Sequence, residues 1–415
     1  MRSAGEKGSG LYQGWVLLLL GLLVVLVYSY HIYFPLEPYF DEVHYVGFIR
    51  ELFAGSYNQY VSNHPPLWHF LTALGMKIFG DHPWTWRLVS LMAGLGILPI
   101  LYQLTKKISG DPLVALLAVF FWLFDCLSLT QARVCMMNSL QLLFMLVSML
   151  FFLESLENTP FPDKKKLLFA GLFFGLAIST KLVALNMLLF FIPLLIFYVF
   201  TKKIRYQGLW PWLALCFLLI PFLIFFCVHL AIPFFKGRTI TDIWNITAFH
   251  IHYHLTTTQT HHYTSPWWSW PLMSRPTWAF YKNHHGLVNG IIFIGNPVLF
   301  WSTPLSIGFV VWEFLKKRSM TAGIILLGFC SQWLFFSLAT RMTFFHYFYL
   351  AMPFAAMAMA LLARRVWLKG KIGRSVVLVF LTLTVMMFVY WYPLLTGLSI
   401  PYKFYEQHMW FRSWI

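Results

Sequence analysis

Acidic side chains are scarce in this chain. Only 14 of its 415 residues are Asp or Glu, and charged residues of either sign make up 11%, against about 25% in an ordinary soluble domain. That shortage excludes a soluble protein with a charged surface. The longest polar interval spans only about 55 residues, from 236 to 290, so no separate soluble domain fits between the apolar runs. Cysteine is also sparse. The five, at 126, 135, 216, 227 and 330, show no Cys-x-x-Cys spacing. Cys216, Cys227 and Cys330 fall inside apolar runs and read as buried small hydrophobes. Cys126 and Cys135 could meet at the outer surface, but they read as free thiols. No internal repeat, low-complexity segment or interdomain linker stands out.

What the chain has is apolar length: 59% of it is hydrophobic. Eleven stretches approach the ~20 residues that cross a bilayer. They lie at 14–34, 87–105, 112–131, 137–156, 167–181, 183–201, 209–235, 291–315, 320–338, 344–363 and 376–396. The expected fold is an all-α polytopic membrane bundle forming one domain over 1–415. The first run is too long for a signal-peptide core and lacks a small-residue cleavage site, so it reads as a retained anchor.

The net charge of +16 suggests nucleic acid, yet the basic residues form no single patch. Eighteen of the 30 fall in short alternate connections: Arg2 and Lys7; Lys106 and Lys107; Lys164 to Lys166; Lys202, Lys203 and Arg205; Lys316 to Arg318; and five between Arg364 and Arg374. This is the positive-inside pattern of membrane topology. It places the N-terminus inside, the C-terminus outside, and two long segments, 35–86 and 236–290, outside. Partners are therefore the lipid bilayer and what lies at its surface, and no nucleic acid is expected.

Asp41 and Glu42 stand side by side just past the first span. Paired acids at the mouth of an oily bundle suggest a general base and its partner. Asp41 could also cap a short helix carrying Val46, Ile49 and Phe53 at helical spacing. The apolar stretch Leu67–Phe79 has 13 residues and reads as interfacial or re-entrant. Pro65-Pro66 stiffens the chain and fixes His64 at a turn. Outer span ends carry Arg87, Arg133, Lys181 and Arg341. Cations at that depth cost several kcal/mol unless matched. Together, opposite two carboxylates, they suggest an anion site, and a lipid-linked phosphate is the natural anion there. Arg87 and Arg133 rank first. His250, His252 and His254 alternate, so on a strand they would share a face. With His261 and His262 they make five imidazoles in 13 residues, a pattern that would suit a metal. The blander alternative is a hydrogen-bonding loop. Trp267, Trp268 and Trp270 read as interfacial anchors, with a stacking platform as the alternative.

These residues carry a resemblance. FDEVHY, NHPPLWHFLTAL and the arginine of WTWRLVSLMAG resemble the first outer loop and second span of the protein O-mannosyltransferases. So do FDCLSLTQARVCMMNSL, STKLVAL, HHYTSPWWSWPLMSRPTW with IGNPVLFW, RMTFFHYFYLAMP and the closing HMWFRSWI. The likeness runs from about 39 to 415. The acidic pair and HPP are shared among many lipid-sugar transferases, and the SPWWSWP block is narrower. The family often has aspartate where this chain has Asn138, which removes a charge there but leaves a hydrogen-bonding group. Eukaryotic members carry a β-trefoil module that 236–290 cannot hold, so the resemblance is to a compact bacterial-type member.

The resemblance implies a GT-C membrane fold. It also implies inverting, metal-independent transfer of mannose from a polyprenyl-phosphate donor to Ser or Thr hydroxyls of exported polypeptide. Asp41 would be the base and Glu42 its partner. Arg87, Arg133, Lys181 and Arg341 would hold the phosphate. His64, Asn138, His262, Trp267, Trp268 and His346 would line the substrate site. The expected location is the bacterial inner membrane with the site facing outward. The alternatives are a transferase that decorates a lipid or glycan, like the aminoarabinose transferases, and a transporter. The one-sided gathering of polar residues argues against the transporter.

Overall fold

The structure is a computed structural model that describes residues 21–55, 63–157, 162–201, 209–231, 239–256 and 261–415. The anchor run at 14–20 and the basic residues Arg2, Lys7, Lys202, Lys203 and Arg205 lie outside these residues.

The chain is mostly helical. Helix α1 covers 21–29 of the described residues and leads into the first long connecting segment. There α2 (Glu42–Phe53) and the short apolar α3 (Leu67–Phe79) precede the long α4 (Pro83–Ser109). Asp81 ties α2 to α4, accepting from Arg50 Nε at 2.8 Å and from Trp86 Nε1 at 2.6 Å. Arg50 holds the Asp81 carboxyl below the usual carboxylate range. Pro83 at the first helical position and a His82–Thr85 capping box start α4.

Next come α5 (Pro112–Leu123) and α6 (Cys126–Arg133), bent by 64° at their junction. The bend has a cause. Asp125 caps α6 through Ser128 N at 2.9 Å and also accepts from Asn296 N at 3.1 Å. Asn296 in turn donates to the carbonyls of Phe124 and Thr384, both at 2.8 Å. One polar knot thus satisfies the backbone freed at the break. Helices α7 (Asn138–Ser155) and α8 (Lys164–Thr180) pack side by side. A 3₁₀ turn, Leu182–Met187, leads into α9 (Leu188–Thr201). Helices α10 (Leu209–Ala214) and α11 (Ile220–His229) form one rod around a π-helical stretch.

The second long connecting segment holds α12 (Thr241–Thr256), a 3₁₀ turn at Trp267–Leu272 and strands β1 (Thr277–His284) and β2 (Leu287–Phe293). His285 and Gly286 turn the hairpin with φ of 50° and 82°, the double positive φ of a two-residue loop that glycine permits at low cost. Then α13 (Pro297–Lys317), α14 (Met320–Trp333), α15 (Met352–Trp367), α16 (Lys371–Trp391) and α17 (Pro393–Thr396) complete the bundle. Strand β3 (Ser399–Pro401) adds to β2, giving an antiparallel sheet in the order β1-β2-β3, and α18 (Tyr402–His408) follows. This small sheet was not expected. Its strands are short and one adjoins an apolar run, so their period-2 signal is weak.

Among the described residues, seven helices are long and apolar enough to cross a membrane, or eight if α5–α6 counts as one bent span. Helices α8 and α15, at 17 and 16 residues, are shorter. The span expected at 291–315 starts later, at Pro297, because 291–293 belong to β2. The basic clusters find acids at the helix ends remote from Asp41: Arg364 with Asp111 at 2.8 Å, Arg365 with buried Glu313 at 3.1 Å, and Lys107 with Glu157. All five cysteines are free. Cys126, Cys135 and Cys216 are buried, while Cys227 is exposed rather than buried as expected.

Candidate active site

Asp41 sits at the N-cap position of α2, but its side chain caps nothing. Among the described residues its carboxylate has no hydrogen-bond or ion-pair partner. Burial pushes the Asp41 carboxyl above its ordinary range, while the charges of Lys181, His44 and His261 pull it back. It is thus a partly desolvated acid facing a cation without being neutralised by contact.

Glu42 is placed quite differently. It is fully buried and grips Arg87 with both oxygens at 2.9 Å. It also accepts the main-chain N–H of Cys135 at 2.7 Å. Two further Arg87 donors go to the carbonyls of Ile32 (2.7 Å) and Pro35 (3.0 Å), and the guanidinium lies 5.0 Å from the Tyr39 ring. Four of five N–H donors are used within the protein. Arg133 donates to the Tyr28 carbonyl at 2.5 Å and lies among Arg87, Tyr39 and Tyr392. The two cations ranked first from sequence therefore bind protein groups. They clamp the chain before Asp41 onto α4 and the α6–α7 junction.

The other two cations line a cavity of about 290 Å³. Lys181, Arg341, His64, Thr343 and Tyr347 supply its polar wall. Lys181 stands where α8 breaks, and its Nζ donates to Asn138 Oδ1 at 2.9 Å and lies 5.5 Å from the Tyr347 ring. Asn138 Nδ2 donates on to Gln131 Oε1 at 2.8 Å. The departure from aspartate at 138 thus leaves a hydrogen bond but adds no negative charge beside the lysine. A recess of about 40 Å³ continues the cavity past Asn138, Gln141 and His346. Gln141 Oε1 and His346 Nδ1 are buried there with no hydrogen-bond partner among the described residues, a cost unless a ligand or water completes them. Leu182 and Leu185 join the cavity to an apolar groove of about 810 Å³ between α8, α10 and α11.

His262, Trp267 and Trp268 do not line this cavity. His262 is exposed, and its carbonyl accepts from Arg275 Nε at 3.2 Å. Trp268 is 59% exposed. Trp267 packs against Trp333 with ring centroids 5.2 Å apart. The block around them builds the wall instead. Ser265 N donates to Thr343 O at 2.9 Å, and Thr343 Oγ1 returns to Ser265 O at 2.7 Å. That pair of hydrogen bonds fixes the strip holding Arg341, Thr343 and Tyr347. The histidine run is helical in α12, not a strand. Residues two apart are then rotated by about 200° around the helix axis and lie on nearly opposite faces, with His250 buried and His252 exposed. The side chain of His254 lies outside the described residues. Among the described residues no three His, Cys, Asp or Glu side chains converge as metal ligands.

Sequence reasoning missed Tyr347 and Gln141, and it named His261 only as part of the histidine run. The first lies beside a predicted histidine and the last precedes one. Only Lys181's place in a break between apolar runs signalled its rank over Arg87.

The sequence matches the profile described as dolichyl-phosphate-mannose-protein mannosyltransferase over residues 18–234. The C-terminal four TMM region of protein-O-mannosyltransferase matches over 239–414. The chain belongs to this family. It is accordingly an integral membrane glycosyltransferase. A polyprenol-phosphate-mannose--protein mannosyltransferase of Mycobacterium tuberculosis is 23% identical, over 91% of this chain and 86% of the relative. One from Corynebacterium glutamicum is 25% identical, over 91% and 88%. In fold the family member resembles the S. cerevisiae protein O-mannosyltransferase Pmt1-Pmt2 complex bound to the sugar donor. The TM-score is 0.83 at 13% identity, covering all of this chain and 93% of that one. ArnT from Cupriavidus metallidurans bound to undecaprenyl phosphate gives a TM-score of 0.61 at 18% identity, over 92% and 77%. These likenesses establish the GT-C type fold.

Proposed function

We propose that this protein transfers mannose from a polyprenyl-phosphate donor to Ser or Thr hydroxyls of exported polypeptide, with inversion. The observation that carries the reading is the unpartnered carboxylate of Asp41 facing Lys181, which with Arg341 lines the cavity. A hydroxyl must lose its proton as it attacks the anomeric carbon, and a carboxylate held above its ordinary pKa is suited to take it. The bond from that carbon to the phosphate oxygen then breaks, and the lipid phosphate leaves as an anion. Lys181 and Arg341 are preorganised for the growing charge, which makes a metal unnecessary to the step. Asn138 and His346 face the sugar, and His64 stands at the acceptor's entry. Glu42 and Arg87 are positioning residues, and Arg133 braces the same loop. The apolar groove at Leu182 and Leu185 takes the lipid tail. Relatives named for this reaction support the donor and acceptor classes. The basic clusters at the remote helix ends support an orientation with Asp41 on the outer face, and the bacterial relatives support a bacterial plasma membrane.

The test is purified protein with synthetic polyprenyl-phosphate mannose and a Ser/Thr peptide, read by mass spectrometry. The wild type gives a mannosylated peptide, with or without chelator. Lys181→Ala and Arg341→Ala raise the donor KM. Unchanged donor saturation in both variants removes them from the phosphate role.

A further inference from the structure

A second cavity, of about 550 Å³, lies outside the Lys181–Arg341 site. Its wall is aromatic: Tyr263, Trp278, Tyr281, Tyr402 and Tyr405, with Glu406 at one side. The backbone assembles it deliberately. A bulge in β1 between Trp278 and Phe280 breaks the alternation of the strand, so Trp278 and Tyr281 meet on one face with ring centroids 5.9 Å apart. Tyr405 of α18 closes on both, at 5.8 and 5.4 Å, and Tyr402 stands 5.7 Å from Tyr405. The floor is fixed by Trp278 Nε1 donating to Trp414 O at 2.7 Å. Arg275 lies 5.4 Å from the Tyr263 ring and bonds Ser413 O at 2.9 Å, so that wall is held too.

The polar tips are idle. Among the described residues none of the hydroxyls of Tyr263, Tyr281, Tyr402 and Tyr405 has a hydrogen-bond partner, and Glu406 makes no ion pair. They converge: burial first, then the neighbouring Tyr281, Tyr402, Tyr263 and Glu406, push the Tyr405 phenol up to about 12. Rigid rings with unused O–H donors fit one ligand class well. A polyproline II segment leaves its carbonyls unpaired and presents flat proline rings, and aromatic grooves bind it through both features. The cavity also lies near the reacting acid. Tyr263 contacts His261 at 5.6 Å, and His261 is one of the charges bearing on Asp41. On the other face of β1, Phe280 packs 6.1 Å from Tyr39, two residues before Asp41.

We propose that this cavity is an acceptor subsite that binds an extended, proline-containing stretch of polypeptide flanking the Ser or Thr offered to Asp41. The claim rests on the mannosyl-transfer reading for the identity of the acceptor, but its binding step is tested without transfer. The probe is a fluorescein-labelled proline-rich peptide with Ala in place of every Ser and Thr, titrated by anisotropy against the full-length protein in detergent. Wild type and Asp41→Asn bind it alike. Tyr281→Phe/Tyr402→Phe, which keeps the rings, weakens binding, and Tyr405→Ala weakens it by about tenfold or more. In transfer assays Tyr405→Ala raises KM for a Pro-flanked acceptor at unchanged kcat and leaves a Gly-flanked acceptor unaffected. Equal binding of the proline-rich probe and its Gly counterpart overturns the proposal. So does an equal fall in kcat for both acceptors, or displacement of nothing but a mannose oligosaccharide from the cavity. No mannose transfer with intact probe binding strikes the reading of Asp41 and leaves this subsite standing.

Discussion

At Glu42 a guanidinium and a main-chain N–H match the carboxylate, whereas among the described residues no group is bonded to the Asp41 carboxylate. The difference decides which acid reacts and which supports. A buried ion pair broken on one side costs about 3–5 kcal/mol, because the other charge is left unpaired. Arg87→Ala is expected to lower stability by about that amount, seen as early thermal unfolding in detergent. Arg87→Lys recovers little, since an ammonium cannot make the two-pronged contact. Lys181→Ala, by contrast, is expected to unfold near the wild-type temperature and lose donor affinity. The raised Asp41 carboxyl predicts a pH effect with a definite sign. A base works when ionised, so activity falls as pH drops through its pKa. Because burial raises that pKa, the acid limb of kcat/KM lies above the ordinary carboxylate value of about 4. A limb at or below that value would mean that Asp41 is fully solvated or is not the base.

At the scale of elements, helix breaks place the chemistry. Lys181 occupies the gap after α8, and Asp125 with Asn296 stabilises the kink that turns α6 toward α4. Close approach of α4 to α6 depends on Gly94, where a Cβ would come 2.4 Å from the Cβ of Ala132. Gly94→Val is expected to cost about 1–3 kcal/mol by overpacking and to reduce transfer by shifting Arg133. Gly308→Ala, with open space around it, leaves both unchanged. Equal behaviour of the two variants in thermal unfolding would show that α6 is not held this tightly. The sequence pattern located the apolar helices because their hydrophobic runs are long. It also marked α3 from Leu67 to Phe79. It left the conformation of the α12 histidines open, because i, i+2 spacing alone does not distinguish a strand from a helix with one buried and one exposed face. It missed β1 and β2 because apolar Ile291 to Phe293 merge with the span that follows.

For the molecule as a whole, the polar cavity at Lys181 and Arg341 meets the apolar groove beside α8 at Leu182 and Leu185. Leu185→Trp should narrow the groove where it meets the cavity. It is expected to raise KM for a long polyprenyl donor while sparing a short-chain donor, and equal effects on both would place the tail elsewhere. The residues that gather were legible as a set, because acids and outer cations are rare in this sequence. Their division was not. Whether a cation meets a carboxylate, a carbonyl or an open cavity depends on contacts between distant segments, such as Arg87 with Ile32 and Glu42.

The most direct measurement compares Asp41→Asn with wild type in two assays: binding of polyprenyl-phosphate mannose and single-turnover transfer to a Ser/Thr peptide. The amide keeps the shape of the side chain and removes its basicity. Donor binding within about twofold of wild type, with transfer reduced by about 10²–10⁴-fold or more, is the predicted result. Transfer at the wild-type rate by the bound variant would contradict it.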